Sequence, residues 1–146
     1  MPKLKIYLPD VNVWVAAASR RHVHSRAAVQ WLDSVQDDQL AFCRVTQMGL
    51  LRLLTNRHVM GSDTLNQAQA WEVYERIMLD SRVRFLGEPA GVEEIWKKYS
   101  HSSEPATNLW TDAYLLALAE SLGIQVVSFD RALHERAQNR VALLAF

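Results

Sequence analysis

Short apolar runs alternate with stretches of helical periodicity along the whole chain, and this alternation limits the fold more than any other feature. Residues 4–8 (LKIYL) form a strand candidate that stops at Pro9-Asp10, and a helix follows with Asn12 as its cap and Val13, Trp14 and Ala17 on its apolar face. That helix gives out near Ser19-Arg20-Arg21-His22. A second helix runs from about His24 to Val35, with Ala27, Ala28, Trp31, Leu32 and Val35 at helical spacing. Residues 39–43 (QLAFC) are the next strand, and Thr46 can cap a helix over MGLLRLLT. Asn56 and Gly61 mark a loop, and Asp63 can cap a longer helix to about Leu79. Residues 82–86 (RVRFL) are a third strand, and Pro89 opens a helix through Tyr99. A polar stretch, 100–108, precedes helix 109–122, which ends at Gly123. Strand 125–129 (QVVSF), helix 131–138 and a last apolar run, Val141 to Leu144, complete the chain.

Strands separated by helices with short connections imply an α/β fold with a mainly parallel central sheet. The 146 residues suit a single domain spanning 1–146, and nearly half are hydrophobic, enough for a sizeable core. In such folds ligands gather at the carboxyl ends of the strands, which is where chemistry is to be sought.

Acidic residues stand at the expected places. Asp10 follows the first strand, because Pro9 cannot donate to a ladder and should end it. Asp130 stands in the same way after QVVSF. Either carboxylate can also serve as a turn or helix cap, and a capping carboxylate still keeps one oxygen free. Asp112 opens DAYLLALA, a segment apolar on nearly every face that must be buried. A carboxylate in that first turn gains from the helix dipole but needs a partner once desolvated. Three such carboxylates repel one another unless a cation joins them, and an all-oxygen site suits Mg²⁺ or Mn²⁺.

Gln47 lies on the inward stripe of its helix with Leu50, Leu51 and Leu54. It can ligate weakly through its carbonyl, hold a metal-bound water, or bond to backbone. Arg20, Arg21, His22, His24 and Arg26 cluster after the first helix, and Arg44, Arg52 and Arg57 flank the Gln47 helix. These side chains can contact phosphates or form a solvated surface. The Trp71 stripe reads as core or interface.

Other classes are disfavoured. A formal net charge of zero argues against a broad basic coat for nucleic acid, though not against a local basic rim. The lone cysteine, Cys43, cannot form an intramolecular disulfide, and no Cys/His spacing suggests zinc. The N-terminal MPKLKIYLPD is too short for a signal peptide, and no apolar run reaches membrane-spanning length, so a soluble, cytoplasmic protein without membrane contact is expected.

The segments LPDVNVWVA, TQMGLLRLLTN, WTDAYLLALAESLG and VVSFD, in this order, resemble a PIN-domain ribonuclease. The compact size and RHVHSRAAVQWL resemble the VapC-type toxins of bacterial toxin–antitoxin pairs. The resemblance covers essentially the whole chain. It implies a three-layer α/β/α sandwich and Mg²⁺- or Mn²⁺-dependent endonucleolytic cleavage of RNA. Carried over, Asp10, Asp112 and Asp130 match acidic ligand positions. Gln47 stands where many members have glutamate, which removes one formal charge and leaves open whether a second metal binds. Ser128 matches a small hydroxyl position able to orient a carboxylate or water, and Asn12 can orient Asp10. A toxin of this kind implies a cognate antitoxin covering the acidic site, and residues 24–35 and 63–79 carry enough apolar surface for a homodimer or for that contact.

Rival readings are a catalytically inactive binding module and a PIN nuclease for RNA processing. A phosphatase with Asp10 as nucleophile fits poorly, since Asn12 stands where a second aspartate is needed and Lys97 and Lys98 lack strand-end context.

Overall fold

The computed structural model describes residues 4–145; residues 1–3, part of the N-terminal segment read for a signal peptide, and residue 146 lie outside the described residues. Among the described residues five strands form one parallel sheet: β1 (Ile6–Pro9), β2 (Gln39–Phe42), β3 (Val83–Phe85), β4 (Gln125–Ser128) and β5 (Val141–Leu143), in the order β3-β2-β1-β4-β5. The expected α/β/α sandwich is therefore present. Side chains alternate between two apolar layers, as a sheet covered on both faces requires. Leu40 and Phe42 face one layer, while Ala41 and Cys43 face the other.

On the first face lie α1 (Val11–Ala18), α2 (Ser25–Ser34), α3 (Arg44–Leu54) and α5 (Gln67–Met78), packed on Leu40, Phe42 and Val127. The single turn α4 (Arg57–Met60) and a 3₁₀ turn (Gly61–Asp63) join α3 to α5. On the second face lie α6 (Val92–Ser100), α7 (Leu109–Leu122) and α8 (Arg131–Arg136). Helix α7 buries Leu115, Leu116 and Leu118 among other residues, as its all-round apolar sequence demands. Each such leucine contributes about 2 kcal/mol. Gly123 closes α7 with a left-handed φ of 67°, a conformation that favours glycine. No helix among the described residues is long and apolar enough to cross a membrane.

Helix starts differ from expectation at several points, each for a local reason. Asp10, not Asn12, caps α1, because its extended backbone lets Oδ1 accept from the Val11 N–H. Helix α3 starts four residues before MGLLRLLT, with Cys43 as cap and the Thr46 hydroxyl bonding back to the Cys43 N–H and C=O. Asp63 ends in the 3₁₀ turn, and Asn66 caps α5 through a reciprocal bond pair with Gln69. Helix α6 begins after Gly91, whose φ is 87°, three residues later than Pro89 suggested.

Chain order places β2 and β4 on opposite sides of β1. Successive connections reverse direction there, and the crevice above β1 and β4 is the topological switch point of the sheet. The register pairs Pro9 with Val127, and the Asp10 N–H donates to the Val127 carbonyl at 2.7 Å. The two strand ends that carry Asp10 and Asp130 are thus locked side by side.

Candidate active site

Asp10 leaves β1 and turns at once into α1. Its Oδ1 accepts from the Val11 N–H at 2.7 Å, and its Oδ2 accepts from the Ser128 hydroxyl at 3.0 Å. Burial raises its pKa above the usual carboxylate range, the hydrogen bonds from Val11 and Ser128 oppose that rise, and the charge of Asp130 adds to it.

Ser128, fully buried at the end of β4, is the hub of this corner. Besides donating to Asp10, its Oγ accepts from the Asp130 N–H at 2.9 Å and from the Asn12 amide at 3.2 Å. Asn12 therefore acts on Asp10 at one remove, through Ser128. Asp130 caps α8, its Oδ1 accepting from Ala132 and Leu133. The cap and the acidic position coincide in one residue.

Asp112 projects from the first turn of α7. Its pKa is pushed up to about 6, first by burial and then by the charges of Asp10 and Asp130, with Arg136 pulling the other way. Helix α3 supplies the facing wall. Asp10 and Asp112 both line a cleft of about 300 Å³ whose other walls include Val45, Met48, Gly49 and Arg52. Gly49 lies so near α1 that a Cβ there would come 2.5 Å from Val11 Cγ2.

Gln47 is held within its own helix. It is buried on the inward stripe with Leu50 and Leu54, as its spacing indicates. Leu50 and Leu54 of that stripe pack in the first apolar layer with Trp14, Val15 and Phe42. Its Oε1 accepts from Arg44 at 2.5 Å, and Arg44 lies over the Phe85 ring. The 100° step of a helix puts residues 45, 48, 49 and 52 on the cleft, while 47, 50 and 54 are buried on another side of α3.

The basic residues divide as well. Arg52 lines the cleft. Arg20 and Arg21 line a separate recess, where Arg21 pairs with Asp63 at 3.4 Å. Arg44 is taken up by Gln47. The His24 N–H donates to His22 Nδ1, and the His24 ring stacks on Phe129. Three contributors escaped the sequence reading: Gly49, Thr111 and Arg136. The i, i+3, i+7 pattern of Val45, Met48 and Arg52 was the available signal for the cleft side of α3.

No three His, Cys, Asp or Glu side chains among the described residues converge tightly enough to form a ready-made metal cage. What the site offers is two carboxylates on one cleft, a third close enough to raise both their pKa values, and only oxygen donors of the acidic kind. That surplus of negative charge fits a small divalent cation held by few carboxylates and several waters, the habit of Mg²⁺.

Comparison with known proteins agrees with this geometry. Residues 7–139 match the PIN domain family. The chain is 41% identical over 143 residues to Ribonuclease VapC41 of Mycobacterium tuberculosis, covering 94% of this chain and 98% of the relative. Its fold is similar to that of Mycobacterium tuberculosis VapC20, described as a Sarcin-Ricin loop cleaving toxin, with a TM-score of 0.68 at 17% identity over 95% of this chain and 99% of the other. It is similar also to a toxin–antitoxin complex from Klebsiella pneumoniae, with a TM-score of 0.61 at 18% identity over 93% and 95% of the two chains. A PIN-type sheet with its acids at the switch point, together with this identity over nearly the full length of a VapC protein, means that the chain belongs to the PIN-domain family and, within it, to the VapC ribonucleases.

Proposed function

We propose that the chain is a metal-dependent endoribonuclease and the toxin of a toxin–antitoxin pair, with Asp10 and Asp112 as the principal holders of Mg²⁺ or Mn²⁺. The observation that carries this reading is the shared cleft of Asp10 and Asp112 at the switch point, with Asp130 close enough to raise the pKa of both. A bound divalent cation supplies Lewis-acid activation of water and neutralises charge on the phosphodiester.

The chain's own residues have separable tasks. Ser128 fixes the direction of Asp10 Oδ2, and Asn12 fixes Ser128. Asp130 adds a third negative charge while its Oδ1 holds the start of α8. Arg52, on the facing wall, is placed to bind an RNA phosphate. Helix α3 presents a glycine and an arginine to the cleft and no carboxylate, which favours one tightly held cation over two. The partner in this reading is an antitoxin whose basic side chain would neutralise the same acids, and the apolar surfaces of α2 and α5 suit that contact or a homodimer.

The test is cleavage of RNA by the purified protein with Mg²⁺, with Mn²⁺ and with chelator, alongside Asp10→Asn and Asp112→Asn. Cleavage should need the metal and both carboxylates. Activity that survives both substitutions contradicts the mechanism, and an inert wild type on every RNA supports a binding module instead.

A further inference from the structure

Trp110 is 57% exposed, and it stands in the first turn of α7, the same turn that delivers Asp112 to the cleft. An indole so open to water is uncommon without a partner, because it leaves a large apolar face hydrated. It is also held firmly. The Trp96 indole N–H donates to the Trp110 carbonyl at 2.9 Å, and the Trp96 ring meets the Trp110 ring edge-on at 6.1 Å. Trp96 is in turn braced edge-on by Tyr114 at 5.7 Å. Ring and backbone are thus fixed before any ligand arrives, which lowers the ordering cost of binding.

Beside the indole lies a recess of about 380 Å³ formed by the polar stretch before α7. Trp110 lines it together with Ser102, Ser103, Thr107 and Glu104. Among the described residues that line it there is no lysine or arginine, so it offers a phosphate no cation, and Glu104 repels one. Hydroxyls, a carboxylate acceptor and an aromatic wall suit the edge and face of a nucleobase that carries N–H donors. Its volume is in the range of small-ligand sites.

Resting on the ribonuclease reading, we propose that a nucleotide flanking the scissile phosphate stacks its base on Trp110 and turns its edge into this recess. The phosphate then lies over the Asp10–Asp112 cleft, and α7 sets the spacing between the two. Single-stranded RNA is the occupant, since a base inside a duplex cannot leave its stack to reach the indole without a pairing cost.

The test uses the full chain and labelled single-stranded RNA oligonucleotides, with an abasic nucleotide moved step by step along the strand. Trp110→Ala should raise KM about tenfold with kcat little changed, and Trp110→Phe should restore most of the loss. Trp71→Ala, which removes an indole 47% exposed on α5, should leave KM unchanged. At one position beside the scissile bond, the abasic RNA should show the same loss with wild type, and Trp110→Ala should add nothing to it. Glu104→Gln should alter preference among bases at that position. An unchanged KM in Trp110→Ala overturns the inference, as does a loss equal for every abasic position, which marks a structural role. Loss of antitoxin binding or of self-association with KM intact assigns Trp110 to a protein interface and overturns it too. If the wild type cleaves no RNA at all, the ribonuclease reading fails first; if it cleaves and Trp110→Ala behaves like wild type, only the stacking inference fails.

Discussion

The Ser128 hydroxyl donates to Asp10 Oδ2 at 3.0 Å, joining two residues 118 positions apart in the chain. The same oxygen accepts from Asn12 and from the Asp130 backbone, so one buried hydroxyl ties β4, the first turn of α1 and the start of α8 together. Its position decides which way the first acid points.

Ser128→Ala should therefore do more than remove one bond. It strips Asp10 of an oriented donor and leaves the Asn12 amide and Asp130 N–H without this acceptor. Losses of about 10- to 100-fold in metal affinity or activity are expected, as for other residues that orient a ligand. Titration of Mn²⁺ by calorimetry separates this from loss of fold, which thermal melting reports. Wild-type Mn²⁺ affinity in a folded Ser128→Ala protein contradicts the role.

Asp112 makes stability depend on pH in a defined direction. A carboxyl whose pKa is about 6 when folded, above its unfolded value, binds its proton more tightly in the folded state. Its contribution is fully present below the unfolded value, near pH 4, and is lost as pH rises through 6. Asp112→Asn cannot ionise, so without metal it should be more stable than wild type above pH 7 and lose that advantage near pH 4. The half-open site limits the gain to about 1 kcal/mol. Thermal melts of both proteins in chelator at the two ends of this range measure it; a difference independent of pH rejects the assignment.

Gly49 should tolerate no side chain while Val11 remains. A Cβ there meets Val11 Cγ2 at 2.5 Å, Cγ1 at 3.3 Å and Cβ at 3.4 Å. Valine is stiff at χ1, so relieving the 2.5 Å contact costs a rotamer change or a shift of the helix. Gly49→Ala gains about 1 kcal/mol of helix propensity but should still lose about 1–2 kcal/mol net through overpacking. It should also weaken Mn²⁺ binding, because Val11 adjoins Asp10. Adding Val11→Ala should recover both properties, and chemical denaturation of the single and double variants checks the coupling.

Gln47→Glu places the new carboxylate against Arg44. An ion pair with Arg44 is the expected result, with Mg²⁺ and Mn²⁺ affinity within about twofold of wild type, less than half a kcal/mol. Calorimetric titration decides it. A large gain in affinity would falsify the placement of Gln47 on the core side of α3.

Much of the site was legible because strand ends are marked in one dimension. Pro9 and the apolar run QVVSF announced where Asp10 and Asp130 leave the sheet, and DAYLLALA announced a buried helix with Asp112 at its mouth. The caps were less legible. Asp10 and Asn12 are both good capping residues, and only the backbone conformation selects between them. Gln47 shows the sharper limit. Periodicity identified its stripe as inward, and it is, but the side chain that Gln47 meets there, Arg44, is chosen by rotamers that periodicity does not reach.

By itself, then, the sequence determined the α/β class, the strand ends and where Asp10, Asp112 and Asp130 stand on their elements, because alternation, proline and helix periodicity act over a few residues. The tertiary structure alone decided which of them share a cleft. Strand order put β4 beside β1, and that pairing set Ser128 against Asp10. The rotation of α3 turned Gly49 and Arg52 toward the carboxylates and Gln47 toward Arg44. Such choices depend on contacts between residues far apart in the chain, where no local pattern reaches.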